Sequence, residues 1–437
     1  MSSAEFGSFT LALFALIGLA HFLGYIFTRL RQPRVVGEIV AGIVLGPAIL
    51  GHFAPAISSA IFPTGTNGAS SKDQVVLGFL YNLGLLLLMF ASGAETKGLF
   101  NKNDRREVSW LGIIGTGLPF VLALLCAPLI PLGPLMGSAG QRTALLLVVS
   151  IAMAVTSIPV ISKILHDLDI MHTRFARLIL GVAVMEDIVL WAVLAIATAL
   201  AKAGSIPHQK IVVHVAACIA YFVIGLTIMP RLLRRLSETR LNVLAKASPI
   251  GYVIVVLLAY AAVAAAFDVS LVFAAFLAGF AVVSHMNAFE EAVSTIGKVS
   301  FAVFIPVYFA VVGYKLDLTK TFSLTMLAAF LTIGCVAKLL SAGMGARLAG
   351  FNWNDSVNLS MALNARGGPG IVLASVAYEA NIINAAFYTT LVLFAILTSQ
   401  VAGAWLDYVL HKGKPLLSGQ PGEATATQTT STPALAA

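Results

Sequence analysis

Charge is scarce in this chain: 11% of its 437 residues are Asp, Glu, Lys or Arg, against about 25% in an ordinary soluble domain. With 59% hydrophobic residues and a mean hydropathy of +0.94, that scarcity excludes a water-soluble globular protein and leaves a polytopic membrane protein. Cysteine is nearly absent as well. Cys126, Cys218 and Cys335 each lie within an apolar run, and no CxxC or Cys/His spacing occurs, so neither a disulfide framework nor a zinc site is implied. The sequence holds no HExxH, GxSxG or Walker pattern, and its net charge of +8 is scattered through short connections rather than gathered into a nucleic-acid stripe. No cofactor is expected. The opening MSSAEF has no Lys or Arg, so the first apolar run reads as a retained helix rather than a cleavable signal peptide.

What the chain does have is long apolar runs. Thirteen are long enough to cross a bilayer as helices, which takes about 20 residues each: near 9–30, 35–53, 75–97, 108–131, 141–166, 174–202, 210–236, 248–267, 269–286, 296–316, 321–349, 355–380 and 384–410. They lack the ten-residue alternation of an outer-membrane barrel, so the expected fold class is an all-α polytopic membrane protein. With the N-terminus outside, the inner connections and tail hold 19 of the 27 lysines and arginines and the outer connections hold 6. The positive-inside rule then places the C-terminus in the cytoplasm of a multi-pass protein of the cell's inner (plasma) membrane. Two basic residues remain, Lys338 and Arg366, and both fall inside spans. The stretch from Lys412 to Ala437, rich in Thr, Ala, Pro and Gly without apolar periodicity, is expected to be a disordered tail.

Thirteen divides as six, one and six, and an odd connecting helix makes the second six run opposite to the first. That is the arithmetic of an inverted repeat. The fifth span carries Thr156-Ser157-Ile158-Pro159 at its middle, and the twelfth, its equivalent, carries Gly367-Gly368-Pro369-Gly370. Proline removes an N–H and clashes with the carbonyl four residues back, here at Val155 and Ala365. Both helices are expected to break near mid-membrane, which is tolerated only where protein or a wet cavity satisfies the freed backbone. Gly42-x-x-x-Gly46 in the second span permits close helix contact. The seventh span, ending in Arg231, Arg234 and Arg235, reads as a linker anchored at the cytoplasmic surface.

The costliest feature is Glu186 followed by Asp187 in the middle of the sixth run. One ionised carboxylate at the centre of a membrane helix costs roughly 2.5 to 3.5 kcal/mol on insertion scales, so two in a row need partners or a wet cavity. Neighbouring helical positions point about 100° apart, so one acid can face a fixed partner while the other faces a ligand path. A purely structural ion pair is the plainer alternative. The formal charges of Glu186, Asp187, Lys338 and Arg366 sum to zero, although Arg366 can instead neutralise carbonyl dipoles at the break. Glu38 and Glu95 lie near cytoplasmic helix ends and read as solvated or structural. His21 reads as a packed polar residue.

Four stretches carry a family likeness: Val36-Gly37-Glu38-Ile39-Val40-Ala41-Gly42-Ile43-Val44-Leu45-Gly46-Pro47, the acidic pair in AVMEDIVLW, AKLLSAGMGARLAG around Lys338, and NARGGPGIVLA around Arg366. Over 9–410, in the right order, the chain resembles the second branch of the monovalent cation:proton antiporter superfamily, the bacterial sodium/proton or potassium/proton exchangers. The resemblance implies a core of 104–204 and 319–411 moving against a dimer-forming scaffold of 1–103 and 248–318, joined by a linker, 205–247, with 412–437 as tail. It implies a secondary transporter that exchanges Na+ or K+ for protons by alternating access as a homodimer in lipid; exchange is expected to be electrogenic because Lys338 can surrender a proton when the site is loaded, and the missing enzyme signatures point away from an enzyme. Asp187 takes the place of the acid that binds cation and proton in competition. Glu186 takes the place of an acid paired with a lysine, here Lys338, with Arg366 grouped beside them for coupling, and Thr156 and Ser157 stand where an unwound helix offers hydroxyls and carbonyls to the ion. Many electrogenic relatives have Asp at the position of Glu186, and several at that of Ser157. One carboxylate fewer near the ion leaves potassium open beside sodium. A proton-driven exporter of a small organic solute on the same scaffold is a second reading, which a larger uncharged cavity would favour. A third, an intramembrane hydrolase, needs carboxylates facing each other across a substrate, and adjacent positions on one helix diverge.

Overall fold

The computed structural model describes residues 3–30, 32–62, 72–95, 104–126, 131–202, 208–239, 242–267, 269–285, 289–316, 318 and 320–418, and these are nearly all helical. Among them the exception to helix and loop is one isolated antiparallel bridge, Met136 with Ile383.

Helices α1 (Ser3–Arg29) and α2 (Arg34–Leu45) are separated at Pro33, which has no N–H to continue a helix and keeps the preceding residue out of the helical region. Helices α3 (Lys72–Glu95) and α4 (Arg105–Leu125) follow. The fifth expected span is two helices, α5 (Arg142–Ala154) and α6 (Ile158–Asp167). Then come α7 (Arg174–Lys202), α8 (His208–Thr227), α9 (Met229–Glu238), α10 (Pro249–Ala266) and α11 (Leu271–His285). Helix α12 (Glu290–Val299) runs through a π-helical turn, Ser300–Phe304, into α13 (Ile305–Tyr314). After α14 (Leu324–Ala349) the twelfth span is again two helices, α15 (Trp353–Ala362) and α16 (Gly367–Glu379), and α17 (Ala385–His411) closes the series. Three short helices, Leu50–Phe53, Pro55–Ile61 and Val243–Ala247, sit in connections.

Local chemistry sets many of these ends. Ser248, Ser323, Asn352 and Asn384 each accept the backbone N–H three residues on, which satisfies one of the donors that a helix start leaves free. Gly350, at φ +100°, closes α14, a left-handed position that suits glycine. The π-turn has a cause as well. Pro306 cannot donate to Ala302 O, four residues back, and that carbonyl instead meets His21 Nε2 at 2.7 Å.

Among the described residues nine helices are long and apolar enough to cross a membrane, ten when α8 and α9, bent by 45°, count as one. The bend lies at Met229-Pro230, a proline inside what the sequence presents as one straight run. The other three expected spans are the two interrupted ones and α11, which has 15 residues.

The helices pack in two sets. In the first, α1 lies on α2, α2 on α13, α3 on α11 and α13, and α10 on α11. In the second, α4 lies on α14 and α7, α5 on α7, α14 on α15 and α17, and α16 on α17. Helix α8 touches both, through α7 and α11. Reciprocal glycine crossings hold the first set together. A Cβ on Gly42 would stand 1.8 Å from Ala310 O and one on Gly313 2.0 Å from Ile39 O; a Cβ on Gly93 would stand 2.0 Å from Phe276 O and one on Gly279 2.0 Å from Phe90 O. Backbones meet this closely only where side chains are missing.

Residues 412–418, assigned by composition to a disordered tail, are seated on the second set. Leu416 and Leu417 are buried, Asn358 Nδ2 donates to Leu416 O at 3.1 Å, and Ser418 donates to Asp355 Oδ1 through N at 2.9 Å and Oγ at 3.0 Å. Two adjacent leucines in a polar stretch give the physical reason. The rest of the expected tail, 419–437, lies outside the described residues.

Candidate functional site

Helix α7 is pinned at its start by Arg174, whose Nε and Nη2 bind Asp104 and Glu107, each at 3.1 Å. About three turns further on, Glu186 and Asp187 are 1% and 0% exposed. Their surroundings differ sharply. Glu186 Oε1 receives Lys338 Nζ of α14 at 2.7 Å and the Thr116 hydroxyl of α4. Lys338 also donates to Ala154 O at the end of α5. A buried ion pair is tolerated when further hydrogen bonds satisfy its groups; Lys338 and Glu186 Oε1 have them, while Glu186 Oε2 has no partner.

Asp187 has none: neither carboxylate oxygen has a hydrogen-bond partner. The Ser92 hydroxyl of α3 is likewise buried without a hydrogen-bond partner. The angular separation of adjacent helical positions has thus divided the pair, with Glu186 locked inward and Asp187 left open. A buried carboxylate without a partner cannot stay as a bare anion.

The two helix interruptions meet beside this pair. A helix C-terminus leaves its last carbonyls without intrahelical donors, and at α5 two cations supply them. Arg366 Nε reaches Ala152 O at 3.1 Å and its Nη2 reaches Met153 O at 2.8 Å, while Lys338 takes Ala154 O. The negative end of the α5 dipole is therefore covered. Arg366 further binds Asn364 Oδ1 at 2.5 Å and Gly334 O at 3.0 Å and lies 4.3 Å from the centre of the Phe394 ring. Grouped with Glu186 and Lys338 as an ion-pair residue on the family likeness, it is engaged by carbonyls instead, and its charge acts on Glu186 only at longer range.

Thr156 Oγ1 donates to Leu363 O, Ser157 N donates to Ala365 O at 2.7 Å, and Ser157 Oγ caps α6 by accepting Val160 N at 3.4 Å. Both residues stand in the interruption, and neither hydroxyl bonds to Asp187. Gly367, at φ +36°, lets the second interruption come this close: a Cβ there would lie 2.2 Å from Val160 Cγ2.

Thr116 and Ser92 were not found from the sequence. Each is a lone hydroxyl in an apolar run, and many such residues simply bond back to their own helix, as Thr198 does to Ala195 O at 2.9 Å. Glu95, read as solvated or structural, lines a cavity of about 260 Å³ together with Phe90, Glu290 and Ser294.

Interrupted helices meeting beside an intramembrane carboxylate are the construction of helical secondary transporters, and that is the class this fold and site define. The chain belongs to one family among them: residues 13–412 match the family described as sodium/hydrogen exchanger, transmembrane. It is 28% identical over 389 residues to the K(+)/H(+) antiporter 1 of Saccharomyces cerevisiae, covering 86% of this chain and 43% of the yeast protein. It is 27% identical over 393 residues to the cation/H(+) antiporter 18 of Arabidopsis thaliana, covering 88% and 46%. The chain therefore spans about half the length of these two relatives. The Na(+)/H(+)-K(+) antiporter GerN of Bacillus cereus is 27% identical over 390 residues, 88% of this chain and 92% of GerN. The structure of the sodium proton antiporter MjNhaP1 from Methanocaldococcus jannaschii shares the fold, with TM-score 0.60 at 13% identity over 93% of this chain and 98% of that one.

Proposed function

We propose that this chain exchanges a monovalent cation, Na+ or K+, for protons across the membrane by alternating access. The observation that carries the reading is Asp187, a fully buried carboxylate with no partner for either oxygen. A proton or a cation neutralises it, each favouring a different protonation state, so occupancy by one excludes the other. The names of the relatives support cation/proton exchange and divide between sodium and potassium.

The helices are read as thirteen spans in two inverted sets of six about a linker. A repeat that carries spans one to six onto eight to thirteen exchanges the crossing of the second with the tenth for that of the ninth with the third, and the reciprocal glycines fall at these two crossings. On this reading the second packing set is the moving core, 104–204 and 319–411, and the first is the scaffold, 1–103 and 248–318, through which two copies pair in lipid. The linker is 205–247 and the tail, 412–437, is cytoplasmic, with the N-terminus outside the plasma membrane. Asp187 binds the ion, with Thr156 and Ser157 beside it. Glu186 and Lys338 couple the charge, and Arg366 holds the crossing together.

Asp187→Asn keeps the size of the side chain and cannot ionise. In proteoliposomes carrying a pH dye, with sodium, potassium, lithium and rubidium added in turn, the wild type is expected to move protons with at least one cation and the folded variant with none. Full exchange by the variant removes Asp187 from the mechanism. Competition further requires that lowering the pH raise the cation concentration at half-maximal rate.

A further inference from the structure

Three polar contacts join the two packing sets. Lys315, just past the end of α13 in the first set, pairs with Glu379, the last residue of α16 in the second, at 3.3 Å. Tyr308 of α13 donates to Ser375 Oγ of α16 at 3.3 Å. Tyr388 of α17 donates in the other direction, to Val312 O of α13, at 3.4 Å. The contacts fall toward one end of the molecule. Lys315 and Glu379 mark the ends of their helices, Val312 and Ser375 lie within about a turn of those ends, and Tyr388 is in the first turn of α17.

Aromatic rings back these contacts on both sides. Tyr81 of α3 lies 5.1 Å from the Tyr308 ring, centre to centre, and its own ring centre is 3.9 Å from Lys315 Nζ. In the second set Tyr378 stacks on Tyr388 at 4.9 Å. Each contact between the sets suits a joint that opens. The side chains of Lys315 and Glu379 remain 35% and 37% exposed, so their attraction is modest and screened by salt. Tyr308 and Tyr388 are buried, and a phenol that leaves a protein acceptor for water exchanges one hydrogen bond for another at small net cost. Parting the sets at this end therefore wets the two hydroxyls instead of stranding them.

Resting on the reading that the second set moves against the first, we propose that the Lys315–Glu379 pair, with Tyr308 and Tyr388 behind it, is a gate between the sets on the outer side of the membrane, and that it is shut in this structure. On the topology proposed above, the ends of α13 and α16 and the start of α17 face outward. A slide of α16 past α13 by one turn, about 5.4 Å, cannot keep the three contacts together. These side chains thus set how readily the molecule opens outward. Weakening any of them lowers the advantage of the shut form and shifts the population toward the open one.

Two measurements test the gate, both in a background without Cys126, Cys218 and Cys335. In the first, Lys315→Cys/Glu379→Cys is bridged in proteoliposomes with a reversible bis-methanethiosulfonate reagent. Cation-driven proton movement is expected to fall tenfold or more on bridging and to return when reductant is added. Undiminished exchange by the bridged protein overturns the gate and leaves cation/proton exchange standing; no exchange by the wild type with any cation overturns the exchange reading, and the gate with it. In the second, Val312→Cys, a position with no exposure in the shut form whose carbonyl is kept, is labelled in intact cells by a membrane-impermeant maleimide. Adding Glu379→Gln or Tyr308→Phe is expected to speed labelling fivefold or more. The swap Lys315→Glu/Glu379→Lys should slow it again to within twofold of the parent, a rescue that lost packing would not show. Unchanged labelling in both single variants, or a swap that labels as fast as Glu379→Gln, overturns the gate.

Discussion

Lys338 is tied to three helices besides its own surroundings on α14: it pairs with Glu186 on α7 and donates to the last carbonyl of α5, while Thr116 on α4 shares its acceptor. Removing one partner of a buried pair leaves the other charge uncompensated, at a cost of about 3 to 5 kcal/mol. Lys338→Ala is expected to lose stability of that order by thermal or denaturant unfolding. Lys338→Gln, able to keep a hydrogen bond, separates coupling from folding. If Lys338 surrenders a proton as Asp187 takes up a cation, two protons exchange for one cation. An imposed membrane potential then speeds wild-type exchange but not that of the folded Lys338→Gln protein. Voltage-independent wild-type exchange would reduce Lys338 to a structural counter-charge. The acidic pair was legible from its cost in an apolar run, and its partner lysine from the family likeness. What the sequence could not reveal was the hydroxyl that completes the pair, because Thr116 is brought in from 70 residues away in the chain.

The two interruptions follow from local chemistry, and so does their dependence on one glycine. Gly367 combines a left-handed φ with a Cβ position 2.2 Å from Val160 Cγ2, whereas a Cβ on Gly368 would meet nothing within 4 Å. A non-glycine residue in that backbone region costs about 1 to 3 kcal/mol before any clash. Gly367→Ala is therefore expected to melt well below wild type and Gly368→Ala within about 1 kcal/mol of it. Equal effects at the two positions would mean that the crossing is not as close as the contacts indicate. Pro159 and the Gly-Gly-Pro-Gly run announced where these helices break. Pro230 was just as visible, yet the bend between α8 and α9 went unread because basic residues after it suggested a simple anchored end. Hydropathy likewise could not say that α11 begins only at Leu271, since its apolar run blends into the one before it.

In the assembly proposed above, two copies meet through the first packing set, and packing decides where a probe belongs. Helix α2 is wedged between α1 and α13, with Ile39 and Ala41 fully buried, so it offers no surface to a second copy. Helix α1 does, with Phe14 73% exposed. Phe14→Cys in a background without the three native cysteines is expected to trap a dimer on oxidation in lipid. Strict monomers by native mass spectrometry from nanodiscs would count against the pairing. The grouping of the helices into two sets was expected from the likeness alone; composition could not provide it, because apolar runs occur in both sets and hydropathy does not say which helix packs on which. The seat of Ser418 on Asp355 gives the molecule a mechanical property. Asp355 lies in the first turn of α15, a strut about 15 Å long whose far end is the interruption where Leu363 O receives Thr156. Ser418 is thus joined to the crossing of the broken helices by one rigid element, α15, alongside its covalent link through Leu416 and Leu417 to α17.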